Sequence, residues 1–243
     1  MPVDIPLADL LALAWFLGCW GGYTLYADHL RWRSRELATV LHRYRLRWMQ
    51  RMLRREARIA DVTIIAALIR SDTLFITTTL FILAGLVTVL GAVEKAREVV
   101  STLAFAVQAS SELWEIKLLI EITIFVYAFF KFAWSLRQFN FSLTLVGAAP
   151  MPDETPAPDE ADIAERLATL VTRAVSSFNR GLRAYYFGLA MLSWFIQPWL
   201  LAVTTIWVML VFYRREFRSV TLKTLADPMT GQGPGATPPA SGL

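Results

Sequence analysis

The sequence predicts an all-α protein, a polytopic transmembrane helical bundle of five spans (alternative four) with cytoplasmic helical extensions. Three observations predict it. The 243 residues are 56% hydrophobic and only 18% charged, with a mean hydropathy of +0.45. A soluble fold of this size lacks the interior to hide so much apolar surface, so lipid is the expected solvent. Four apolar runs, Leu7–Tyr26, Leu74–Val93, Leu118–Leu136 and Ala184–Tyr213, approach or exceed the roughly 20 residues that cross the hydrocarbon. Charge is also segregated: Asp28–Thr73 holds 11 arginines against five acidic residues, whereas Pro150–Glu165 is net acidic.

The first run has no basic residue before Arg31, carries Asp4 and Asp9, and offers no small-x-small cleavage site, so it is expected to stay as a helix. Leu17-Gly18-Cys19 resembles a lipoprotein cleavage box, but no basic start precedes it. Leu30–Arg58 follows as a basic amphipathic helix with Leu37, Leu41, Tyr44 and Trp48 on one face. Asp61–Gly91 reads as one helix that begins outside lipid and then enters it. Within it Arg70, Thr73, Thr77, Ala84 and Thr88 form a small and hydroxyl-bearing face, expected to pack. The Gly18/Gly22 pair is a GxxxG spacing, weak evidence beside the neighbouring Gly21.

Ala184–Tyr213 has 30 residues, about 45 Å as one straight helix. Positive-inside counting places Asp28–Thr73 in the cytoplasm, the N-terminus and Glu94–Glu112 outside, and Arg137 inside. A single crossing by Ala184–Tyr213 would then leave the basic Arg214–Arg218 tail outside. A turn at Gln197-Pro198 removes that conflict. Helix four then runs from about Phe178 to Ile196 and helix five from Trp199 to about Arg218, with Trp194 and Trp199 at headgroup depth. The expected location is a bacterial inner (plasma) membrane, multi-pass, N-terminus outside and C-terminus cytoplasmic.

The division is therefore 1–26, first span; 27–60, basic cytoplasmic helix; 61–147, second and third spans; 148–161, acidic Pro-rich linker; 162–222, a cytoplasmic helix continuing into the last two spans; and 223–243, a disordered tail.

Charges inside a span are costly unless paired or hydrated, so they mark candidate sites. In the third span Lys117, Glu121, Ala128, Lys131, Ser135 and Gln138 share one third of the helix circumference, with Phe125, Phe129, Phe132 and Leu136 mostly on the other side. Lys117 and Glu121, four apart, can pair, and Lys131 needs a partner from elsewhere. Lys117, Glu121, Lys131 and Ser135 thus form a candidate ion or solute path, the bland alternative being interhelical hydrogen bonding and snorkelling ends. Arg137, Asn140, Asn179, Arg180 and Arg183 are expected at one depth near the inner surface, as an anion or lipid-phosphate site or as simple anchors.

No nucleophile elbow, P-loop, dinucleotide fingerprint or His-Glu-x-x-His motif occurs, so an enzyme is not expected. One Cys and two His supply neither an intramolecular disulfide nor a zinc site, and no cofactor is expected. The expected partners are anionic lipid headgroups and other membrane chains, homo-oligomer included. A basic helix tethered between two spans argues against nucleic acid.

Trp114-Glu115-Ile116-Lys117, the run from Phe125 to Asn140, Phe178–Phe187, Tyr213–Ser219, Arg47-Trp48-Met49 and Arg70-Ser71 are distinctive strings. On these the chain, over about residues 7–222, resembles domain-of-unknown-function family 599. The resemblance implies a bacterial or plant type of membrane protein and supplies no activity. The residues favour conduction or transport of a small ion or solute, with a non-catalytic scaffold or accessory subunit as the alternative.

Overall fold

A computed structural model describes residues 5–29, 31–102, 107, 109–152 and 160–217. The described residues are helical with no strand, in the order α1 (Leu7–His29), α2 (Arg31–Leu53), α3 (Ile59–Leu90), α4 (Val93–Ser101), α5 (Ser111–Ala148), α6 (Glu160–Met191) and α7 (Pro198–Phe217). A 3-10 turn, Leu192–Phe195, joins the last two. Leu30, the linker core 153–159 and the tail 218–243 lie outside the described residues, as does the side chain of Leu37, so the expectations placed on them stay as stated. Among the described residues one helix, Ile59–Leu90, is long and apolar enough to cross a membrane, and Pro198–Arg214 is a shorter apolar helix.

Local chemistry sets the ends of α5. Ser110 caps its N-terminus, accepting from the Leu113 amide at 3.2 Å. At the other end the terminal carbonyls have no helical donor, and Pro150 and Pro152 follow. Arg58 supplies donors instead: its Nη1 donates to the carbonyls of Val146 (3.1 Å) and Ala149 (2.8 Å), and its Nη2 to that of Pro150. The residue that ends the α2–α3 turn thereby closes a helix 90 positions on.

α5 is the central helix, flanked by α6 and α3. Glycines bring α6 close. A Cβ at Gly181 would stand 2.7 Å from the Phe132 ring, and one at Gly188 would stand 2.9 Å from Phe125. These two contacts, seven residues apart on each antiparallel helix, set the register of the pair. Phe125 and Phe132 are therefore buried on the same side as the polar stripe, not opposite it. The Gly18/Gly22 pair has open space around it and packs nothing.

The packing face of α3 is not the expected one. Ile65, Asp72, Thr79 and Leu86, spaced by seven, are buried, whereas Arg70, Thr73, Thr77, Ala84 and Thr88 are exposed. A helix apolar all round offers two competing faces, and hydroxyls on one of them do not decide which meets protein.

One end of the bundle is built from α2, the start of α3, the end of α5 and the first half of α6, around Met49, Met52, Ile65, Phe139 and Leu167. There Asp61, fully buried, accepts from Trp48 Nε1 (2.6 Å) and Arg55 Nη1 (2.7 Å). The amphipathic α2 thus packs on the bundle through Met49, Met52 and the partly buried Trp48, leaving Arg43, Arg47 and Arg51 on its outer face. The other end joins α1, α5, α6 and α7 through Phe16, Phe187, Trp194 and Leu201.

α6 ends at Met191, five residues short of the expected Ile196, a 3-10 turn follows over Leu192–Phe195, and Pro198 opens α7 as expected. Trp199 is exposed, but Trp194 is buried and serves as an internal donor rather than an interfacial anchor.

Candidate functional site

The periodicity of α5 puts Lys117, Glu121, Ala128, Ser135, Gln138 and Ser142 on one buried face. Lys117 does not pair with Glu121. Its ammonium reaches across to Asp9, in the first turn of α1, at 2.7 Å and donates to the Trp194 carbonyl at 3.1 Å. Trp194 Nε1 donates to the same Asp9 oxygen at 2.8 Å. Three segments distant in sequence so close one buried ion pair. It forms part of the wall of a cavity of ≈ 260 Å³ to which Gln197 and Trp199 also contribute.

One turn along α5 from Lys117, Glu121 is wholly buried, and neither of its oxygens has a hydrogen-bond partner among the described residues. Asp72 of α3 repeats the pattern about 21 Å further on, at the level of Ser135, fourteen residues from Glu121. Ser135 Oγ donates to the Ala174 carbonyl (2.9 Å) and is also the hydroxyl that faces Asp72, but neither Asp72 oxygen makes a hydrogen bond of normal geometry among the described residues. Between the two carboxylates stand Thr79, one heptad from Asp72 on the buried face of α3, and Tyr185, whose ring meets Phe125 (5.6 Å) and Phe75 (5.8 Å). Beyond Ser135, Gln138 Nε2 donates to Ser177 Oγ at 3.1 Å. Polar groups therefore recur along the α3–α5–α6 seam between tightly packed rings.

Lys131 leaves this file. It is half-buried at the edge of the stripe, its ammonium 5.1 Å from the centre of the Tyr127 ring, a cation–π contact one turn away on the same helix.

The family described as "Protein of unknown function, DUF599" matches residues 11–221. The chain belongs to that family. No curated protein and no solved structure matches it.

In this DUF599 protein the five residues of the expected anion site do not gather at one level: the register set by the Gln138–Ser177 bond and the Gly181–Phe132 contact puts Arg183 about nine residues, or roughly 14 Å, along the axis from Asn140, with Arg137, Asn179 and Arg180 between. They do not share a face. Arg137 and Asn140 are on the exposed side of α5, with the Arg137 guanidinium 5.5 Å from the Phe141 ring centre. On α6, Asn179 is exposed, Arg180 half-buried and Arg183 buried.

Sequence reasoning missed Asp9, Trp194 and Asp72 as members of the polar interior. Asp9 figured only in the argument against a signal peptide, and Asp72 only among the five acidic residues counted in Asp28–Thr73. The usable signal was the heptad Ile65-Asp72-Thr79-Leu86, matching in period the α5 stripe it faces.

Proposed function

We propose that this DUF599 protein is a five-span membrane bundle, N-terminus outside and C-terminus inside, that passes protons along the buried polar file of α5. The carrying observation is the pair Glu121 and Asp72, both wholly buried, whose four carboxylate oxygens make no hydrogen bond of normal geometry among the described residues, with the Ser135 hydroxyl beside Asp72. Buried charge without a partner costs several kcal/mol, so intramembrane carboxylates that persist mark pathways by default.

The five spans are α1, α3, α5, α6 and α7, with the turn at Gln197-Pro198 on the outer side. α3, α5 and α6, of 32, 38 and 32 residues, are about 48, 57 and 48 Å long. Each exceeds the roughly 30 Å of hydrocarbon, and the surplus forms the cytoplasmic lobe with α2. The cavity at Asp9 and Lys117 then faces outside, Glu121 lies next to it, and Asp72 lies near the inner end.

A proton fits this interior better than a larger solute. The rings of Phe125 and Phe132 fill the seam between the carboxylates. A hydrated cation needs room and several oxygen ligands, whereas a proton needs only titratable groups and hydroxyls such as Thr79 and Tyr185.

The test is proton flux into liposomes holding the purified protein, read with an internal pH dye under an imposed potential. Flux above protein-free vesicles, lost in Glu121→Gln and in Asp72→Asn, is expected. Wild-type flux no greater than that of empty vesicles would sink the proposal. The arginine face of α2 favours a rival, a scaffold that holds acidic partners; on that reading Arg43→Glu with Arg47→Glu abolishes partner capture while both carboxylate variants behave as wild type.

A further inference from the structure

A second feature lies on the flank of the bundle, away from the polar file. α1 and α7 part to leave a cavity of ≈ 530 Å³ with an apolar lining. Trp15, Gly22 and Tyr26 line it from α1, and Leu210 and Tyr213 from α7. Trp15, Leu210 and Tyr213 are each about half exposed, so the groove opens on the outer surface. A Cβ at Gly22 would meet nothing within 4 Å, so the glycine leaves space there rather than serving a helix contact.

Its length and its ends define what fits. From Trp15 to Tyr26 is about 16 Å along α1, half of the roughly 30 Å of hydrocarbon, or the depth of one leaflet. In the topology proposed above, α1 and α7 both run from outside to inside. Tyr26 and Tyr213 then stand at the inner headgroups, where tyrosine is favoured, with the exposed Arg214 beside them. The matching ligand has an apolar tail one leaflet long and an anionic head, because a guanidinium forks onto phosphate oxygens.

We propose that the α1–α7 groove binds one anionic phospholipid of the inner leaflet, an acyl chain between the helices and its phosphate at Arg214. The site rests on the membrane-embedded topology and is independent of the proton path.

The test starts from the full chain, shown to resist alkaline carbonate extraction, in nanodiscs of equal phosphatidylglycerol and phosphatidylethanolamine. Native mass spectrometry of the released protein counts the lipid retained. Wild type is expected to keep one phosphatidylglycerol. Gly22→Leu, which fills the groove from a position with open space, is expected to lower its occupancy about tenfold. Leu210→Trp fills it from α7 and serves if the glycine variant does not fold. Arg214→Gln is expected to keep a lipid but to lose the preference for the anionic one. Unchanged retention in a folded groove-filling variant, or wild type without bound lipid, overturns the site. Unchanged preference in Arg214→Gln overturns the headgroup assignment. Release of wild type by carbonate would overturn the membrane topology and this site with it, an outcome separate from any flux result.

Discussion

Replacing Lys117 by Met removes the cation that joins α5 to α1. Asp9 then keeps only the Trp194 Nε1 donor, at a site where the two ionic side chains are 4% and 5% exposed. Breaking a buried pair from one side costs about 3–5 kcal/mol, because the remaining charge stays desolvated and uncompensated. For a chain of this size that corresponds to a fall in Tm of roughly 6–20 °C. Asp9→Asn leaves the ammonium without its anion but keeps an amide oxygen for Trp194. Lys117 can then turn one helical step towards Glu121, so Asp9→Asn is expected to cost less than Lys117→Met. The double variant carries no charge at either position and retains the indole hydrogen bond, so it should return to within about 1–2 kcal/mol of wild type. Thermal unfolding of all four proteins in one detergent, followed by intrinsic fluorescence, closes the double-mutant cycle. A double variant whose loss equals the sum of the two single losses would refute the reasoning, since it would show that the charges do not sense each other.

Two further predictions concern packing and helix ends. Gly181→Ala should destabilise by about 1–3 kcal/mol, because its Cβ would stand 2.7 Å from a Phe132 ring held between Phe75 and Phe178. Gly18→Ala, with nothing within 4 Å, should be neutral or stabilise by up to about 1 kcal/mol; the same unfolding assay compares them, and equal effects would refute the close-approach account. Arg58→Ala should leave the terminal carbonyls of α5 without their donors and cost about 1–3 kcal/mol. Faster hydrogen exchange confined to the last turn of α5 and the α2–α3 turn is the expected signature, and unchanged protection there would remove the capping role.

Sequence alone determined the helical class, the start of α7 at Pro198, the long α3 and the polar stripe of α5, because each follows from residues close along the chain. Apolar runs, Pro and helical spacing act within a few turns, and no partner is needed to read them. Which face of α3 meets protein was decided only in the tertiary structure. In an apolar helix both faces satisfy hydropathy, and the choice of Ile65-Asp72-Thr79-Leu86 comes from its fit to α5. The partner of Lys117 was equally out of reach: Glu121 is the neighbour along the helix, but Asp9, more than a hundred residues away, holds the charge. The same holds for the glycines that matter. Gly18 and Gly22 have the familiar spacing and pack nothing, whereas Gly181 and Gly188, seven apart, admit two phenylalanines. Pairing and close approach are properties of two surfaces together, and one strand of sequence describes only one surface at a time.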